Sequence, residues 1–202
     1  MTGSIHIGLA AIGSAIGIFP GIGPTISAYA AYVVHAPVVV AMDAGHVSAS
    51  GSTEAPPPVM EFDSSGNYLR GWGGEPVDHS YEWPADEHGI HVDYKGNVWV
   101  SSAGGPRLKE RTENFLLKFT PDGKLLMQVG RRGMSKGSLD TKNFNNAADI
   151  WVHPPTNEVF VADGYVNRRV VVLDAETGKF KRMWGAYGNV PDDKAPNGPL
   201  YD

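Results

Sequence analysis

Three short apolar runs, Ile150-Trp-Val152, Val159-Phe-Val161 and Val170-Val-Val-Leu173, stand close together in this chain, and turn-forming residues part them. All three are rich in β-branched and aromatic side chains, which pack well on a pleated surface. His153-Pro-Pro-Thr-Asn157 makes the first corner and Asp163-Gly-Tyr-Val-Asn167 the second. Pro presets the backbone of a turn, while Gly, Asn and Asp tolerate conformations that other residues avoid. A fourth stretch, Lys179-Phe-Lys-Arg-Met-Trp184, follows the turn Asp174-Ala-Glu-Thr-Gly178. The pattern predicts four consecutive antiparallel strands.

The same unit recurs upstream. Phe62 leads through a Gly turn to Gly73, a step of eleven residues, and Phe119 leads through Pro121-Asp-Gly123 to Gly130, again eleven. Leu173 reaches Gly185 in twelve, because its turn carries one residue more. Gly89-Ile-His-Val-Asp-Tyr-Lys-Gly-Asn-Val-Trp-Val100 lines up with Ala148 to Val161, placing Val92 and Val152 sixty residues apart. A lone four-stranded unit cannot bury both faces, so its neighbours must stack on it. Such a meander is the blade of a β-propeller. The fold expected is therefore all-β, with two full blades at about 88–130 and 148–185 and half a blade before them. A closed propeller takes about four to eight blades. Two and a half leave sheet edges open, so the chain is expected to be part of a longer propeller or to self-associate.

Composition narrows the partners. With 17 basic and 22 acidic residues the net charge is −5, and no basic patch is interleaved with aromatics, so nucleic acid is not an expected partner. Cysteine is absent, which excludes disulfides and thiolate metal sites.

The first 42 residues contain no Asp, Glu, Lys or Arg, and their only side chains that titrate near neutral pH are His6 and His35. Ser4–Phe19 and Ile26–Met42 are apolar blocks, parted by Pro20 and Pro24. Residues 1–42 read as a secretory signal or membrane anchor, with Gly13, Gly17 and Gly21 spaced for close helix packing. This reading makes the protein extracytoplasmic. The competing readings are a buried first-blade strand or an atypical gene start. On the first of these, Val38-Val-Val-Ala-Met-Asp43 is the innermost strand of a degraded blade. Residues 43–58 form a linker or part of that blade, 59–187 the blades, and 188–202 an irregular tail. The longer connections are 75–87, 102–114 with Arg107, Lys109 and Arg111, and 131–146. Long loops on a repeat scaffold are where binding residues concentrate.

The pattern His88-Gly-Ile, Asp93-Tyr-Lys-Gly-Asn-Val-Trp-Val100 and Leu117-Lys-Phe119 resembles NHL-repeat propellers. Together with Val159-Phe-Val-Ala-Asp-Gly-Tyr165, Asn167-Arg-Arg-Val170 and Trp184-Gly185, it resembles the peptidyl-α-hydroxyglycine α-amidating lyases, over roughly Pro56 to Tyr187. That resemblance implies a six-bladed propeller and a C–N lyase that cleaves a peptidyl α-hydroxyglycine to a peptide amide and glyoxylate. It implies a zinc held by three His, a catalytic Tyr, nearby Arg residues and a structural calcium. Residue by residue, it makes His88 a zinc ligand, Ile90 a calcium ligand through its backbone carbonyl, and Tyr165 the catalytic residue. Arg168 and Arg169 become substrate-binding residues. Three imidazoles would leave zinc an open position for a substrate oxygen. The family's other two His ligands and a second Arg fall beyond Asp202, and its first-blade Arg has no counterpart near Asp43-Ala-Gly-His-Val47.

Plainer roles compete for the same residues. His88 at a strand entrance can satisfy a loop carbonyl, and Tyr165 can pack or hydrogen-bond within its turn. His91 lies three positions beyond His88, which on a regular strand puts the two side chains on opposite faces. His46, His79 and His153 lie in turns, where they are expected to be solvated. Arg168 or Arg169 can pair with Asp163 or Asp149, and Trp72 and Trp184 are expected in the core. The functional classes left open are a lyase acting on a peptide or small-molecule substrate, and a non-catalytic propeller binding a peptide, protein or carbohydrate on its loop face. On the first, His88 and Tyr165 are expected on one rim, facing a common cavity.

Overall fold

The computed structural model describes residues 30–33, 38–42, 56–102 and 113–194, the first two stretches as backbone only. They form three four-stranded antiparallel sheets. The first runs β1 (Ala30–Val33), β2 (Val38–Met42), β3 (Val59–Asp63) and β4 (Tyr68–Trp72), in that order. The second is β5 (Glu87–Val92), β6 (Val98–Ser102), β7 (Phe115–Phe119) and β8 (Leu125–Gly130). The third is β9 (Asp149–His153), β10 (Glu158–Asp163), β11 (Arg169–Asp174) and β12 (Phe180–Trp184). Each sheet is a simple meander, and β5 packs between β1 and β9, so the leading strands of successive sheets lie inward. The protein is an all-β propeller segment.

The half blade expected before the two full ones is in fact a complete sheet. Val38–Met42 is its second strand rather than its innermost, because β1 pairs with it from Ala30↔Ala41 to Val33↔Val38. That part of the charge-free N-terminal segment is sheet. The signal or anchor reading of residues 1–29 lies outside the described residues, as do His35, His46, Arg107, Lys109 and Arg111. Among the described residues no helix is long and apolar enough to cross a membrane.

Strand alternation builds two seams. Val98 and Val100 of β6 and Phe115, Leu117 and Phe119 of β7 point toward the first sheet, where they meet Val59, Trp83 and Trp72. Trp99 and Leu116, on the other parity, point toward the third sheet and meet Ile150, Val152, Val159, Val161, Val171 and Leu173. The second sheet is thus buried on both faces. The third is not. Trp151 is 50% exposed, and Trp184, expected in the core, sits half-buried on the same uncovered face, its ring centroid 6.3 Å from that of Phe160. Trp72 does pack inward, 5.0 Å from Phe119.

One rim is made of tight turns that repeat a single device. Asp93 Oδ1 accepts the backbone N–H groups of Lys95 and Asn97, both at 2.9 Å. Asp63 Oδ1 accepts those of Ser65 and Asn67, and Asp174 Oδ1 those of Glu176 and Thr177. Thr120 replaces the Asp in the fourth such turn, its Oγ1 accepting the Lys124 N–H at 3.0 Å. A polar side chain thus stands in for a strand partner while the chain reverses. Each turn closes on Gly66, Gly96, Gly123 or Gly178, at φ of 83°, 84°, 85° and 69°, a region that excludes most side chains. The opposite rim carries the long connections, and the candidate residues lie there.

Candidate functional site on the loop rim

A β-bulge sets the position of His88. Glu87 pairs with Ser102 and Ile90 with Val100, so His88 and Gly89 together oppose the single residue Ser101. Bulges re-aim a side chain at a sheet rim. The buried Ser101 hydroxyl stabilises this one, accepting the Gly89 N–H at 3.1 Å. Gly is required at 89 because a Cβ there would lie 2.5 Å from Ser101 Oγ and 2.9 Å from the Ala148 carbonyl oxygen. The second and third sheets meet at this point almost backbone to backbone.

The His88 ring is held from both sides. Its Nδ1 lies 2.9 Å from the Ala148 carbonyl oxygen, which can only accept, so Nδ1 carries the proton in the neutral ring. Nε2 is then the bare lone pair, and the Tyr165 hydroxyl lies 2.9 Å from it and donates to it. The two rings meet edge-on, centroids 5.2 Å apart. His88 thus satisfies a loop carbonyl and faces Tyr165 at once. Residues from neighbouring sheets meet on one rim, with the Tyr165 side 54% exposed to incoming molecules.

The loop bearing Tyr165 is tied down from below. Asp163 ends β10 with no exposed surface, and its Oδ2 accepts from Asn167 Nδ2 and Arg169 Nε, both at 2.8 Å, while Oδ1 accepts the Asn145 N–H. Arg169 was expected to bind substrate, and the structure overturns that. Its side chain is 0% exposed, and its guanidinium donates to Asp163 and to the carbonyls of Ser138, Asp140 and Asn143. A cation this enclosed organises the long 131–146 connection. Arg168 remains at the surface, its N–H on Ser138 Oγ and its Nη1 3.5 Å from the Asp192 carbonyl. Beside it, Asp193 is held below the ordinary carboxylate range, first by its side-chain bond to the Ser138 hydroxyl and then by the Ser138 N–H.

Among the described residues, the other histidines do not join the pair. His91 Nε2 accepts the Val152 N–H at 3.1 Å across the seam, and burial pushes its imidazole below the usual His range. His153 contacts Thr156 Oγ1 at 2.8 Å, and His79 lies near Glu75. Among the described residues no three His, Cys, Asp or Glu side chains converge to hold a metal ion. A zinc site takes about four ligands and a calcium about six to eight oxygens. Ile90 sits in the first seam with its side chain buried, where no cluster of carboxylates stands beside it. The described residues do not by themselves form either metal site.

Sequence reasoning brought His88 and Tyr165 forward and named Asp163 as a partner for Arg168 or Arg169, a pairing that Arg169 makes, but missed Ser101, Ala148 and Asn145. Asp163 carried a signal, since an Asp-x-x-x-Asn pair also brackets the turns at Asp63 and Asp93, where Asn67 and Asn97 donate back to the Asp. Ser101 and the Ala148 carbonyl carried none.

With this geometry established, known proteins bear on it. The chain is 37% identical over 98 residues to peptidylglycine alpha-amidating monooxygenase of Rattus norvegicus, a match covering 48% of this chain and 9% of that enzyme. It is 25% identical over 133 residues to human NHL repeat-containing protein 3, covering 63% of this chain and 34% of that protein. A solved structure, Kuenenia stuttgartiensis hydrazine synthase, superposes with a TM-score of 0.46 at 14% identity, over 76% of this chain and 35% of that one. No family model matches. The chain therefore spans only a small part of the amidating enzymes it resembles, and its blades are similar to those of an NHL repeat protein.

Proposed function

We propose that the loop rim is part of a lyase-like site that cleaves a peptidyl α-hydroxyglycine, with Tyr165 and His88 moving the proton. The observation that carries this is the chain of bonds from the Ala148 carbonyl through Nδ1–H of His88 to Nε2 and the Tyr165 hydroxyl. The carbonyl fixes the tautomer, so Nε2 is always the face that accepts. The Tyr165 oxygen can then take a proton from a substrate hydroxyl as its own proton passes to Nε2. Loss of that proton lets the substrate carbon–oxygen double bond form and the carbon–nitrogen bond break. The departing amide nitrogen then takes a proton from the Tyr165 hydroxyl as His88 Nε2 returns its proton to that oxygen, giving a peptide amide and glyoxylate and restoring the starting pair. Proton transfer by a positioned pair of this kind contributes about 10²–10⁴-fold to a rate.

Similarity to the amidating enzymes over about half the chain supports the substrate class. The zinc implied by that family does not fit the described residues alone, so no step is assigned to it. Arg168, at the surface next to the same loop, is the candidate to bind the substrate carboxylate. The same reading places the protein outside the cytoplasm, which fractionation of a tagged full-length protein tests.

The test is glyoxylate release by the full-length protein from a peptidyl α-hydroxyglycine. Tyr165→Phe is expected to lower kcat by about 10²-fold or more with the fold intact, since only the transferring group is lost. His88→Ala is expected to do the same. Unchanged turnover in both variants would remove the catalytic reading and leave the rim as a binding surface.

A further inference from the structure

The connection from β8 to β9 sorts its side chains by type. Ser138 and Phe144 are buried. Asp140 turns into the loop and accepts the backbone N–H groups of Lys136, Lys142 and Asn143, while Asn143 Oδ1 accepts that of Arg131. From beneath, the Arg169 guanidinium holds the carbonyls of Ser138, Asp140 and Asn143. The backbone is therefore fixed before any ligand arrives. What it holds outward is Arg131, Met134, Lys136, Leu139 and Lys142, with Met134 53% and Leu139 58% exposed. The three cations take no part in the ion pairs found among the described residues. Asp140 is the one carboxylate in residues 131–146, and it is spent on the loop's own N–H groups. A chain of net charge −5 thus presents a strip that is cationic and apolar.

This strip meets the Tyr165 loop at two points. The Asn145 N–H donates to Asp163, and Ser138 Oγ accepts the Arg168 N–H. Lys142 stands three residues from the first contact, Leu139 one and Lys136 two from the second. Consecutive Cα atoms are about 3.8 Å apart, so all three lie within about 11 Å of a contact with that loop. An extended peptide leaving the His88–Tyr165 pair spans a distance of that order in about three or four residues. A flat lipid surface seated on the strip would also lie across Tyr165 on the same rim and close the pair to substrate. A peptide chain fits both places at once.

We propose that this strip is the peptide subsite, and that it selects chains carrying apolar and acidic residues a few positions before the hydroxyglycine. The proposal rests on the lyase reading for which end of the peptide lies at Tyr165. Apolar side chains of the peptide leave water against Leu139 and Met134. Its carboxylates approach Lys136, Lys142 and Arg131, while a basic peptide is repelled by the same three. Exposed charges of this kind set preference and rate of encounter more than affinity, and salt screens them. Because the loop is already held by Arg169 and Asp140, little ordering of the protein opposes binding.

Fluorescence anisotropy with the full-length protein tests this. The probes are labelled peptides of one length that end in unhydroxylated glycine and are acidic, neutral or basic at the upstream positions, with a leucine among them. The acidic peptide is expected to bind about fivefold more tightly than the neutral one, and the basic peptide least well. The differences should close at about 0.5 M salt. Lys136→Glu combined with Lys142→Glu should reverse the order, and Leu139→Ser should weaken every leucine-bearing peptide about fivefold. Circular dichroism checks folding, and turnover of N-acetyl-α-hydroxyglycine, too short to reach the strip, should stay unchanged in these variants. Equal binding of all the peptides, or a preference that the variants leave intact, would overturn the proposal. So would capture of phosphatidylserine vesicles that the double variant abolishes, with no preference among peptides. Glyoxylate release without charge preference would sink the subsite and spare the lyase reading. Charge-dependent peptide binding without glyoxylate release would do the reverse.

Discussion

The two rims of this protein are built on the same strands and by different physics. On the turn rim the chain reverses within a few residues, and the bonds that hold each turn are local: Asp93 holds Lys95 and Asn97, and Asp174 holds Glu176 and Thr177. On the loop rim the important bonds join distant parts of the chain. His88 meets a carbonyl 60 residues away and a hydroxyl 77 residues away, while Arg169 gathers carbonyls from 26 to 31 residues before it. A rim held locally can be repeated without altering the fold. A rim held by long-range contacts can differ from sheet to sheet, and it places chemistry where the sheets meet.

Three substitutions test that contrast, in order of expected effect. Arg169→Met breaks the enclosed pair with Asp163 and strands a buried carboxylate, which costs about 3–5 kcal/mol. Chemical denaturation should show that loss, together with looser packing around Tyr165; a loss as small as that of a surface pair would mean the loop rim is not held from beneath. Gly89→Ala should cost about 1–3 kcal/mol through overpacking, since its Cβ would meet Ser101 Oγ at 2.5 Å and a backbone carbonyl at 2.9 Å. If Gly89→Ala left both stability and turnover intact, the bulge would not be what aims His88. Lys95→Ala removes the exposed Lys95–Glu176 pair, 2.9 Å long, that bridges two neighbouring tight turns. No resolvable change in Tm is expected, because water screens such a pair. A clear drop would show that the turn rim also depends on contacts between sheets.

Much of the fold was legible because its signals are local. Alternating Val, Phe and Trp marked β6, β7, β9, β10 and β11, and the Asp-to-Gly turns marked their ends. The first sheet was less legible, since β1 and β2 lie in an apolar stretch with little alternation, where composition alone fits a helix, an anchor or a strand. Pairing of β2 with β3 across a long connection decided that case. Trp184 was misplaced for a related reason: its pattern matches a covered strand, and only the arrangement of sheets shows that nothing among the described residues covers it.

The sequence by itself determined the strands of the second and third sheets, the turn rim and the repeat. Each of these is written in neighbouring side chains, in periods of two or in fixed turn offsets. Tertiary structure alone decided that Arg168 stays at the surface while Arg169 is enclosed, though the two are adjacent. It also decided that His88 offers Nε2 and not Nδ1, because a carbonyl from the next sheet takes the other nitrogen. These outcomes depend on which backbone atoms from a neighbouring sheet arrive beside a side chain. Spacing along one strand carries no record of that.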